Sequence, residues 1–167
     1  MAENDTTGTA DSLPSKADFN PWGPNAPDAE CAWGNFGGLS LGDAHMKFRE
    51  RPEIYQEDFM FMGGKAFAFY FPVIEDFLHD VPDDESEGDD HQSWILAKCI
   101  QNQFEARTAA QVVHLADRVI ALSRYVRKHI KRFGCDDAER TRISEAWQEL
   151  EEHIDQSKAN QQTDRTR

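Results

Sequence analysis

The chain has 167 residues, 39% of them hydrophobic, enough for one domain with an ordinary core and frayed ends. Its 18 Lys and Arg face 31 Asp and Glu, a formal charge of −13. Such a balance repels phosphate backbones and anionic headgroups, so nucleic acid and membrane are poor partners by charge and a basic protein is the better one.

The opening MAENDTTGTADSLPSK has neither a basic region nor an apolar one of export-signal type. The longest uncharged apolar run, Ala66 to Ile74, is too short to span a bilayer, and a soluble cytoplasmic protein is expected. Residues 1–30 mix Asp, Thr, Ser, Pro, Gly and Asn with few apolar anchors, the composition of a disordered acidic arm. Phe19, Pro21 and Trp22, followed by Trp33 and Phe36, stand out in this stretch and are expected to tuck onto the domain, with a linear binding motif as the alternative.

A single helical domain is expected over 31–156. Ser40 with Asp43 caps a short helix carrying Leu41, Ala44 and Phe48, which Pro52 ends or restarts. Phe59 to Leu78 then holds seven of the eighteen Phe, Trp and Tyr residues. Phe67, Tyr70, Phe71, Ile74, Phe77 and Leu78 recur there at helical spacing, with Ala66, Phe69 and Val73 on a second face. A helix apolar around most of its circumference belongs at the centre of a core. Gly63 and Gly64 supply a tight entry to it, and Pro72 is expected to kink or split it.

Asp80 to Asp90, DVPDDESEGDD, is an acidic loop. Ile95, Leu96, Cys99, Ile100 and Phe104 mark the next helix. Thr108 and Gln111 form a capping-box pattern ahead of Val112, Leu115, Ala116, Val119, Leu122, Val126, Ile130 and Phe133, a periodic run of about seven turns. Gly134 stops that run. Asp136 and Glu139 open a last amphipathic helix through Ile143, Ala146, Trp147, Leu150 and Ile154, packed antiparallel to the one before it. Residues 157–167 read as a disordered tail. The expected fold is all-α: a compact bundle of about four to six helices with a kinked central aromatic helix and disordered termini.

Catalytic signatures are missing from this pattern. Cys31, Cys99 and Cys135 are odd in number and form no CxxC pair, so reduced thiols are expected rather than a disulfide framework or a zinc site. Asp83, Glu85, Glu87 and Gly88 fall on the first, third, fifth and sixth places of a calcium loop, but Trp94 holds the twelfth, where a bidentate carboxylate is required. No two of the six histidines are four apart on one helix, no Ser lies in a GxSxG elbow, and Ala66 follows Gly63-Gly64-Lys65 where a phosphate loop needs Ser or Thr. Arg118, Arg124, Arg127, Lys128, Lys131 and Arg132 gather on one helix, where cations at the C-terminal turns complement the helix dipole.

The segment through Met62, Gly63, Ala66, Phe67, Phe69, Tyr70, Phe71 and Pro72 resembles the signature of uncharacterised bacterial domains in which an Ala-Phe pair precedes two aromatics, an aliphatic residue and Pro. It departs from them at Phe71 and Val73, where Leu and Ala are more usual. The resemblance covers at most Phe59 to Phe133 and implies a small α-helical domain, with no functional residue to carry over.

The functional expectation is a non-enzymatic, acidic interaction module, in its concrete form an immunity protein neutralising a cationic toxin. It needs no cofactor or metal. Its partner-binding residues are expected in the acidic loop: Asp83, Asp84, Glu85, Glu87, Asp89 and Asp90. The alternative is an enzyme or small-ligand binder with a pocket beside the aromatic helix, using Tyr70, Glu75, Asp76 and His79 as polar groups.

Overall fold

A computed structural model describes residues 12–82, 92–105 and 107–164. The chain enters it through α1 (Lys16–Phe19), held by a reciprocal cap in which the Asp18 N–H donates to Ser15 Oγ and the Ser15 N–H donates to the Asp18 carboxylate. Then come α2 (Pro27–Phe36), with Pro at its first position, and α3 (Leu41–Glu50), where Ser40 Oγ accepts from the Asp43 N–H as expected. Two single turns, α4 (Pro52–Tyr55) and α5 (Asp58–Phe61), lead into α6 (Gly64–His79). After it lie α7 (Ser93–Gln103), α8 (Ala109–Val112), α9 (Ala116–Lys128) and α10 (Asp137–Asp164), with 3-10 turns at Val113–Leu115 and Ile130–Arg132.

Every regular element among the described residues is a helix, with no strand, as the periodicity implies. Helices outnumber the expected four to six. Part of the excess is single turns such as α4, where Pro52 restarts the chain. Part is the expected seven-turn run from Val112, which breaks into α8, a 3-10 turn, α9 and another 3-10 turn. Val112, Leu115, Val119, Leu122, Val126 and Phe133 are buried across those joints, because a tightened turn keeps an apolar stripe on the same side.

Helix α6 runs through Pro72 without splitting and buries Ala66, Phe67, Tyr70, Phe71, Val73, Ile74, Phe77 and Leu78. Its glycine entry is required by close approach. A Cβ on Gly63 would lie 2.1 Å from the Asp18 carbonyl oxygen, and one on Gly64 would lie 2.5 Å from Gln111 Oε1. The Gly63 N–H also donates to the Phe19 carbonyl at 2.7 Å, tying α1 to the start of the central helix.

The segment 12–30 departs from the expected disordered arm. Phe19 tucks onto the domain as expected, fully buried 5.3 Å from the Trp33 ring and 5.7 Å from Tyr70, with Pro14, Asn20 and Ala29 buried along the same stretch. Residues 1–11 lie outside the described ones. At the other end α10 continues past Gln156 to Asp164, with the Ser157 hydroxyl donating to the His153 carbonyl and Lys158 paired with Asp117 of α9. Asp117 meets Lys158 while Arg124 and Arg127, further along α9, meet Glu151, further back on α10, so the two helices run antiparallel as expected.

Two caps differ from expectation. Thr108 has helical rather than extended backbone, and its hydroxyl donates back to the Gln103 carbonyl at 2.6 Å instead of capping α8. Gly134 ends its run as expected, but without the positive φ of a C-terminal glycine cap; its need for glycine is close contact, a Cβ there lying 2.8 Å from Arg140 Cγ and 3.0 Å from the Arg140 nitrogen. The acidic start of α10 forms its cap, with the Glu139 N–H on Asp136 Oδ1 and the Cys135 N–H on the Glu139 carboxylate, both at 2.8 Å.

Candidate functional site

The four residues expected to line a pocket beside α6 point to different places. Tyr70 is fully buried, its hydroxyl 2.9 Å from the Phe36 carbonyl and 2.7 Å from that of Leu39. Burial alone pushes its phenol up to about 12. Glu75 turns outward to Arg118 of α9, whose guanidinium also covers the Phe71 ring. Asp76 faces His45 Nδ1 of α3 at 3.7 Å, while His45 Nε2 accepts from Arg49. His79 stacks on Tyr125 with centroids 4.1 Å apart, and His129 lies against the same ring at 4.6 Å. The space around Phe67 and Tyr70 is filled by aromatic side chains, and none of the four polar groups lines the described clefts beside Trp22, along α10 or near Lys65.

The acidic-loop candidates Asp83, Asp84, Glu85, Glu87, Asp89 and Asp90 lie outside the described residues. Among the described residues, no three His, Cys, Asp or Glu side chains are grouped to hold a metal ion. No described helix is long and apolar enough to cross a membrane.

The surface charge has a definite organisation. Lys16, Arg49, Arg51, Lys65, Lys98, Arg118, Arg124, Arg127, Arg140 and Lys158 all form ion pairs within the chain. Lys47 donates to the Asn35 carbonyl, Arg132 to the Tyr125 hydroxyl, and Arg107 and Arg142 lie over Trp22 and Trp94. Lys128 and Lys131 are the described basic side chains that remain. By contrast Asp28, Glu50, Glu57, Glu105, Glu145 and Asp155 are exposed with no ion pair or side-chain hydrogen bond among the described residues. The basic side chains are largely spent on holding helices together, and the surplus carboxylates face outward.

One cleft of about 480 Å³ opens in that surface. Trp22, Pro27, Met60 and Phe61 form its apolar wall, and Asp28, Glu105 and Arg107 stand at its polar side. Trp22 is presented by a turn stiffened by Pro21, Pro24 and Pro27. Gly23 takes φ +85°, and Asn20 ties the turn down by donating to the Gly23 carbonyl and to Glu30. Unlike Phe19 and Trp33, Trp22 stands apart from the core packing and is half-buried in the cleft. The sequence singled out Trp22; nothing in the pattern of α7 and α8 marked Glu105 or Arg107 as its neighbours. A second groove of about 400 Å³ lies between α10 and α8–α9, with Val113, Ala116 and Ile154 inside and His153 and Lys158 at its polar side.

No family model matches this chain, and neither does any curated protein or solved structure.

Proposed function

We propose that the protein is a non-enzymatic interaction module that presents an acidic surface to a basic protein, with an immunity protein against a cationic toxin as its concrete form. The observation that carries this reading is the allocation of charge: most described cations are neutralised within the chain, whereas Asp28, Glu50, Glu57, Glu105, Glu145 and Asp155 are exposed with no ion pair among the described residues. A surface so arranged attracts a cationic partner over several ångströms, speeds encounter and repels other acidic proteins. The filled core around Phe67 and Tyr70 favours a surface function over a buried pocket. The likeness to uncharacterised bacterial helical domains rests on residues of the central helix such as Ala66, Phe67 and Pro72 and adds no partner.

Affinity capture with the full chain at low and at high salt tests the reading. The expected result is a stoichiometric partner rich in Lys and Arg, retained at low salt and released as salt rises. Capture that is indifferent to salt, or a partner with no basic excess, contradicts it.

A further inference from the structure

We infer that the Trp22 cleft is a receptor for one arginine side chain of the basic partner, with the indole as its platform and Glu105 and Asp28 as its counter-charges. The inference rests on the acidic-module reading above and gives it a specific contact point.

Three observations carry it. First, the chain already places a guanidinium there: Arg107 Cζ lies 4.8 Å from the Trp22 ring centroid, within cation–π range, so the cleft has the width and the aromatic face that an arginine needs. Second, Arg107 forms no ion pair with either carboxylate lining the same cleft, and Glu105 and Asp28 have no other partner among the described residues. Both are free to meet an incoming cation. Asp28 lies in the first turn of α2 and partly answers the positive end of that helix, which leaves Glu105 as the stronger counter-charge. Third, Trp22 is only partly buried and sits on a proline-stiffened turn outside the core, so little ordering entropy is lost when a partner covers it. Buried tryptophan and arginine anchors are the residues that concentrate binding energy at protein interfaces.

In this arrangement Arg107 occupies the slot in the free protein and swings out when the partner's arginine enters. Its removal should therefore strengthen binding. A cleft built for an anion makes the opposite prediction, because Arg107 would then be the group that binds.

The test is a titration of the full chain with N-acetyl-glycyl-arginyl-glycine amide, and with the peptide carrying citrulline in place of arginine. The readout is the Trp22 indole N–H signal in a heteronuclear NMR spectrum, assigned with Trp22→Phe. The expected result is a saturable shift with the arginine peptide and none with the uncharged citrulline peptide. Binding should be tightened roughly twofold to fivefold by Arg107→Ala. It should be weakened by a similar factor in the Asp28→Asn, Glu105→Gln double variant. Equal response to both peptides, no shift at Trp22, or weaker binding in Arg107→Ala overturns the inference.

Capture of the basic partner by the wild type and by Trp22→Phe separates the two readings. Equal capture by both removes the cleft and leaves the acidic module standing. Capture by neither removes the module and, with it, the partner's arginine as the occupant.

Discussion

The Gln103 side chain clasps the turn that ends at Met62: its amide donates to the Met62 carbonyl at 2.7 Å and to the Phe59 carbonyl at 2.8 Å, with Gln103 itself 1% exposed. It joins α7 to α5 just before the aromatic helix begins. Gln103→Leu leaves two buried carbonyls without a donor, and a loss of about 2–4 kcal/mol in urea unfolding is expected. A loss below about 0.5 kcal/mol would show that the clasp contributes nothing.

Gly63 is the second point on which α6 depends. A methyl group there meets the Asp18 carbonyl oxygen, so Gly63→Ala must push α1 away and weaken the Gly63 to Phe19 hydrogen bond. Thermal unfolding should show destabilisation of more than about 2 kcal/mol. Hydrogen exchange should rise first around α1 and Phe19. Native-like exchange there would contradict the packing described.

Asp58 predicts a pH effect with a definite sign. Burial pushes its carboxyl up, against the Asn35 hydrogen bond at 2.8 Å and the charge of Lys47, which lower it. The folded state therefore holds this proton more tightly than the unfolded state, and Asp58 contributes more to stability as pH falls through the raised value. Asp58→Asn should lie within about 1 kcal/mol of the native protein at neutral pH. The difference should move in favour of the native protein on acidification, compared by denaturant unfolding at the two pH values. The opposite trend would contradict the assignment.

At alkaline pH the argument turns on Tyr70 and Cys99, each pushed up to about 12, Tyr70 by burial and Cys99 first by burial and then by Glu57. Both are neutral when folded. Their contribution is intact below the ordinary thiol and phenol values and is lost as pH rises through the folded ones. Tyr70→Phe should cost about 1–3 kcal/mol at neutral pH by stripping the Phe36 and Leu39 carbonyls of their donor. The same variant should unfold less steeply above pH 10 than the native chain does.

Glu151 binds two arginines of α9 with its side chain only 13% exposed. Glu151→Gln leaves Arg124 and Arg127 without their counter-charge, and a loss of about 1–2 kcal/mol is expected, larger than for an exposed pair. If charge allocation is as described, the same variant should also weaken capture of a basic partner, because two freed cations then repel it.

The stripes of α6, α7, α9 and α10 were legible because large apolar side chains at three- and four-residue spacing leave one solution for each helix. Phe19 tucks onto the domain as expected, but α1 and the order of the stretch around it were not legible. Both depend on a groove for Phe19 made by Trp33 and Tyr70, which local composition does not reveal. The Thr108 and Gln111 pattern named a cap, yet the hydroxyl is committed to Gln103, since a nearby carbonyl competes for it. The 3-10 joints on either side of α9 left no mark, because they preserve the apolar stripe. At the candidate site, Trp22 was visible as an aromatic among prolines. Glu105 and Arg107 reach it only through the tertiary fold.

The association rate of the full chain with the basic protein it captures, followed against ionic strength, tests the central claim most directly. The account predicts a rate that falls steeply as salt rises, with the dissociation rate changing much less. An association rate indifferent to salt would contradict it.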